Sequence, residues 1–108
     1  MKVYSEYADG LLTIYLHGEL DHHEVKQSMS LIDGLLEQYM PRECALNLGS
    51  LSFMDSSGIA LILKLHKRLR DACGRVWVEA PAGQPLRVID ASGIDRMVQI
   101  NAEREARI

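Results

Sequence analysis

Ser52-Phe53-Met54-Asp55-Ser56-Ser57-Gly58 stands near the middle of a 108-residue chain, between an apolar run and a stretch of mixed apolar and basic residues. An acid and two hydroxyls gathered where a strand gives way to a helix have three explanations: a helix cap, a nucleophile, or an acceptor for another protein's chemistry. The flanks supply the pattern. Before the segment, Cys44 to Leu48 reads as a buried strand. After it, Ile62, Leu65 and Leu69 recur at helical spacing with Lys64, Lys67, Arg68 and Asp71 facing outward, and Gly74 ends the helix.

Further out, Val3 to Tyr7 and Leu11 to His17 form a hairpin about Ala8-Asp9-Gly10, because Asp-Gly tolerates the positive φ of a tight turn. Leu12, Ile14 and Leu16 alternate with Thr13, Tyr15 and His17, the period of a strand. Asp21 followed by Glu24 has the spacing of a capping box, with Asp in place of the usual hydroxyl. Val25, Met29, Ile32, Leu36 and Tyr39 then mark one helix face until Pro41. Gly34 inside that helix costs about 1 kcal/mol, with no compensating gain visible. Arg75 to Glu79 is another strand, Pro85 opens a short third helix that Gly93 ends, Met97 to Ile100 returns to the sheet, and Asn101 to Ile108 forms a charged tail. The order ββαβαβα(β) predicts a single α/β domain over 1–108, a mixed and mostly parallel sheet covered by helices.

Fifteen acidic against twelve basic residues give a net charge of −3 without a long block of either sign, which argues against nucleic acid or an anionic membrane as partner. The longest apolar stretch, Ile59 to Leu63, is too short to span a bilayer, and Met1 to Glu6 is no signal peptide, so a cytoplasmic location is expected. Cys44 and Cys73 sit at no metal-binding spacing and are expected to be small buried fillers. Trp77, between Val76 and Val78, is expected to pack in the core or at an edge.

In a parallel α/β layout, function collects in the loop leaving the carboxyl end of a strand. Ser56 or Asp55 as an N-cap accounts for part of the segment, since any helix start has free N–H groups to satisfy. A hydrolase elbow needs glycine two residues before its serine and a P-loop needs Gly-Lys-Ser or Gly-Lys-Thr; neither is present. The third explanation is a hydroxyl held out at a helix start as the target of a kinase, with Gly58 leaving room for the partner's backbone. A phosphate there adds about −1.5 to −2 charges. The helix terminus favours it by about 0.3–2 kcal/mol while Asp55 opposes it, so the fold survives. A partner surface packed over the serine would not.

Gly18-Glu19-Leu20-Asp21-His22-His23, together with Asn47-Leu48 and Leu51-Ser52-Phe53-Met54-Asp55-Ser56-Ser57-Gly58, closely resembles the anti-sigma factor antagonists, stand-alone STAS domains, and most of all their sporulation type. The resemblance covers nearly the whole chain and extends to Gly93 after the short helix. It implies that Ser56 is phosphorylated by an anti-sigma factor that is itself a serine kinase of the histidine-kinase-like ATPase type. The unphosphorylated form would bind that kinase and release its sigma factor; the phosphorylated form would let go and await a PP2C-type phosphatase. This chain would be no enzyme and would carry no cofactor, ATP and Mg²⁺ belonging to the partner. Asp21 matches a family position near the phosphosite. Arg42-Glu43-Cys44-Ala45 and Lys67-Arg68 depart from the family pattern and bear on partner choice.

The surrounding residues have two explanations each. Asp21 is an N-cap by pattern, which is compatible with a role at the phosphosite. His22 and His23, with His17 nearby, invite comparison with a metal site, but adjacent helical residues point about 100° apart and no further ligand completes a set, leaving solvated first-turn histidines or interface contacts. Ser57, Ala60 and Lys64 share a stripe with Ser56, and Lys64 either meets an acidic patch on a kinase or is simply solvated. Asp21, His22, Asp55, Ser56, Ser57, Gly58, Ala60 and Lys64 are thus the expected partner-binding set. The alternative function is a scaffold or ligand-binding STAS domain in a larger signalling or transport assembly.

Overall fold

Asp9 and Gly10, at φ of 52° and 82°, turn the chain between Lys2–Ala8 (β1) and Leu11–Leu20 (β2), the hairpin that the Asp-Gly pair predicts. The computed structural model describes residues 1–102. After β2 come His22–Tyr39 (α1), Glu43–Met54 (β3), Ser56–Asp71 (α2), Arg75–Glu79 (β4), Gly83–Ser92 (α3), a 3₁₀ turn at Ile94–Arg96, and Gln99–Asn101 (β5). The five strands lie side by side in chain order; β1 is antiparallel to β2 and every later pair is parallel. The expected element order and mixed sheet are therefore found.

Alternation decides which strand face is covered. Leu12, Ile14 and Leu16 of β2, Cys44, Leu46 and Leu48 of β3, and Val76 and Val78 of β4 are buried. They share one core with Ile32 and Leu36 of α1, Leu61, Ile62, Leu65 and Leu69 of α2, and Ile89 of α3. α1 and α2 pack against each other, tied across their outer edge by the Arg68–Asp33 ion pair. On the opposite sheet face Arg75 pairs with Glu43 and lies 5.1 Å from the centre of the Trp77 ring, whose N–H donates to Glu79 at 2.9 Å. Trp77 is half-buried there, a sheet-face residue and not a core one.

Four boundaries differ from expectation. β3 runs on to Met54 instead of ending at Leu48, and β2 follows it to Leu20. In this extension Leu48, Leu51 and Met54 are buried, a spacing of three produced by irregular register between Tyr15 and His17 and between Gly18 and Glu19. Gly18, at φ 113°, is one of the residues that make the irregularity possible. α3 starts at Gly83, so Pro85 lies inside its first turn, where a missing N–H costs nothing. β5 begins at Gln99, with Met97 in the turn that follows the 3₁₀ segment. Asn101, expected in the charged tail, instead closes β5, and the part of that tail beyond 102 lies outside the described residues.

Cys44 is buried as expected, and burial pushes its thiol up to about 12. Cys73 is not: it is exposed, at φ 62°, in the turn past α2. The left-handed residue there is the cysteine and not Gly74. Gly74 is small for another reason, since a Cβ on it would stand 2.6 Å from the Arg42 carbonyl oxygen. Among the described residues no helix is long and apolar enough to cross a membrane.

Candidate functional site: an exposed serine where two helices begin

β4 keeps pace with β3 only as far as the Asn47–Glu79 pair, so the last seven residues of β3 carry the chain about 20 Å further toward the carboxyl edge. Ser52 steadies this extension by donating its hydroxyl to the Gly18 carbonyl at 3.0 Å, and Asn47 accepts from the Gly49 amide at 2.9 Å. The strand ends at Asp55, whose amide donates to the Leu20 carbonyl at 3.2 Å, and α2 begins at Ser56.

Asp55, not Ser56, is the cap. Its Oδ1 accepts from the Ser57 amide at 2.8 Å, satisfying α2, and its Oδ2 accepts from the His22 amide at 3.2 Å, satisfying α1. One carboxylate therefore ties together the starts of two helices that are 33 residues apart in sequence. Asp21 caps α1 in its own right, accepting from the amides of His23 (3.0 Å) and Glu24 (3.1 Å). The return half of the expected capping box is not seen among the described residues; the Glu24 carboxylate lies 3.5 Å from the Met1 amino nitrogen.

With both acids occupied in capping, the Ser56 side chain is left exposed at the first position of α2. The ends of both helices concentrate positive potential near it, which favours added negative charge. Ser57 is half-buried, while Ala60 and Lys64 are exposed further along α2. Ala60 and Lys64, but not Ser57, line a groove of about 480 Å³ between α1 and α2, opposite Val25, Lys26 and Met29. His22 is exposed, its Nδ1 4.0 Å from the Asp55 carboxylate. The geometry corrects the expectation that adjacent histidines diverge, because the His22 and His23 rings lie 4.0 Å apart at 38°. Among the described residues no group of three or more His, Cys, Asp or Glu could hold a metal ion.

Gly58 is buried, and its lack of a side chain serves the interior instead of leaving space for a partner. A Cβ there would fall 2.2 Å from Cγ and 2.5 Å from Sδ of the fully buried Met54. One residue of this neighbourhood has no sequence signal at all. Gln84 reaches back from α3 to hold the backbone of Met54 through two hydrogen bonds spanning 30 residues, a pairing that no motif or periodicity encodes.

This sheet, with its extended third strand and capped, exposed serine, is an architecture with known relatives. Residues 3–106 match the STAS domain family, and the chain belongs to it. It is 35% identical over 95 residues to the anti-sigma F factor antagonist of Lysinibacillus sphaericus, covering 88% of this chain and 81% of that protein. Among solved structures it is similar to the anti-sigma factor antagonist SpoIIAA in its unphosphorylated form, with TM-score 0.80 at 32% identity, covering 98% of this chain and 93% of that one. It is also similar to the Bacillus cell fate determinant SpoIIAA in the phosphorylated form, with TM-score 0.71 at 32% identity and coverage of 98% and 96%.

Proposed function

We propose that this chain is an anti-sigma factor antagonist. Its unphosphorylated form binds an anti-sigma factor that is a serine kinase of the histidine-kinase-like ATPase type, and frees the sigma factor; phosphorylation of Ser56 ends the binding. The observation that carries the proposal is the exposed hydroxyl at the first position of α2, beside an aspartate whose two oxygens are committed to backbone amides. Similarity to proteins named as anti-sigma factor antagonists, one of them solved in both phosphorylation states, supports it.

The chemistry divides between the partners. The Ser56 oxygen attacks the γ-phosphorus of ATP held with Mg²⁺ by the kinase; the bond to the bridging oxygen breaks, ADP departs, and the hydroxyl proton passes to a base on the kinase. The acceptor chain contributes placement. It is a substrate in this scheme and no enzyme, and a PP2C-type phosphatase restores it by hydrolysis. Because Asp55 has its oxygens occupied, it orients the start of α2 rather than serving as the base. The α1–α2 groove, lined by Lys26 and Lys64 among others and lying further along the helix that Ser56 begins, offers a surface for the docked kinase. A dianion under a docked surface must lose its hydration without a matching cation, at a cost of several kcal/mol, so the switch acts on binding and spares the fold. The scheme places the chain in the cytoplasm.

Incubation with the candidate kinase and Mg-ATP, followed by fragment mass spectrometry, tests the assignment. One phosphate on Ser56, and none on the Ser56→Ala variant, is expected; a phosphate on Ser57 or Ser52 refutes it.

A further inference from the structure

The segment that presents Ser56 is held on both flanks, and on one of them by a side chain. Toward β2 the partner is backbone: Leu20 lies opposite Met54, and the Leu20 carbonyl accepts from Asp55. Toward β4 the described strand pairing has stopped at Asn47. There Gln84, in the first turn of α3, closes a two-point contact. The Met54 amide donates to its Oε1 at 2.8 Å, and its Nε2 donates to the Met54 carbonyl at 2.9 Å. Both hydrogen-bonding groups of one buried residue are answered by one side chain, in the manner of a strand a single residue long. Met54 itself cannot shift easily, because its side chain is fully buried beneath Gly58.

The contact demands a particular chemistry. It needs one donor and one acceptor, side by side, at the reach of a three-carbon stem. Asparagine is too short, leucine has neither group, and ionised glutamate cannot donate to the Met54 carbonyl. The amide's orientation follows from its partners, since the Met54 N–H must meet oxygen and the Met54 C=O must meet nitrogen.

We propose that Gln84 is a positioning residue for phosphoryl acceptance: by clamping Met54 it fixes the direction in which β3 hands the chain to Asp55 and Ser56. This rests on the assignment of Ser56 as acceptor. In-line attack on a bound nucleotide needs the oxygen at near-contact distance, and a misplacement of about 1 Å costs about 10²-fold in rate. A specific protein–protein interface spreads over about 20–30 residues a side, so docking should be far less sensitive than transfer to the aim of one hydroxyl.

The test compares wild type, Gln84→Leu and Gln84→Glu in the full chain. Single-turnover transfer is measured with saturating candidate kinase and Mg-ATP, affinity by calorimetry, and Met54 amide exchange by NMR. Gln84→Leu is expected to slow transfer by about tenfold or more with affinity little changed, and to speed exchange of the Met54 amide. Gln84→Glu should behave likewise at neutral pH and regain Met54 protection as the pH is lowered, because a protonated carboxyl again offers one donor and one acceptor. Equal transfer rates in folded wild type and Gln84→Leu would overturn the proposal, as would unchanged Met54 protection in Gln84→Leu. Failure of the Ser56 assignment would show separately, as wild type carrying its phosphate elsewhere, and it would remove the role proposed for Gln84.

Discussion

Replacing Asp55 probes the junction of the two helices most directly, because its carboxylate serves α2 through Ser57 and α1 through His22. Loss of an N-cap costs about 1 kcal/mol, within a range of about 0.5–2 kcal/mol. The second bond, to the His22 amide, adds about 1 kcal/mol, below the range of about 1.5–3 kcal/mol for a charged partner because the Asp55 side chain is 32% exposed. Asp55→Ala should therefore lose about 2 kcal/mol, a fall of about 8 °C in Tm for a domain of this size. Asp55→Asn separates the two contributions. Asparagine caps about as well as aspartate, so the Ser57 bond persists, but its amide nitrogen then faces the His22 N–H and that bond is lost, leaving a cost of about 1 kcal/mol. Urea denaturation at constant m-value measures both variants. An alanine variant within 0.5 kcal/mol of wild type, flagged by about 2 °C or less in Tm, would refute the dual role, and so would an asparagine variant as stable as wild type.

The remaining expectations concern the interior and the thiols. Gly58→Ala forces a methyl into Met54 and should destabilise by about 1–3 kcal/mol in the same urea assay; a neutral result would mean that Met54 repacks freely. In native protein a thiol reagent should modify exposed Cys73 and spare Cys44, with both reacting in denaturant; rapid native labelling of Cys44 would contradict its burial. The Cys44 thiol is raised from 9.0 to about 12 by burial, so the folded state keeps a proton that the unfolded state gives up between those values. Stability should therefore fall as pH rises from 9 toward 12, and a Cys44→Ala variant should lose that part of the slope.

Much of this was legible in local pattern. The hairpin follows from Asp9-Gly10, α1 from Asp21 and its run of apolar residues, and α2 from Ile62, Leu65 and Leu69, because turns, caps and helical faces are encoded within a few residues. The reach of β3 was not, since Leu48, Leu51 and Met54 are buried every third residue where a regular strand would bury every second. That matters for the site: the motif spans the end of a strand that overshoots β4 and the start of α2, not a loop just past Leu48. Gly58 carried a visible signal with the wrong cause attached, because only packing reveals that Met54 lies beneath it. Cys73 was misplaced for a similar reason: its type favours burial, while its position past a helix end exposes it. The second job of Asp55 and the clamp of Gln84 depend on contacts 33 and 30 residues apart, which no spacing rule reaches.

Under the proposed function, one esterified oxygen decides whether a docked partner stays. Calorimetry of the candidate kinase against purified Ser56-phosphorylated and unmodified chain, with both confirmed folded by circular dichroism, puts it to the test. Affinity for the phosphorylated chain should be lower by at least about tenfold, or about 1.4 kcal/mol. Equal affinities would contradict the account.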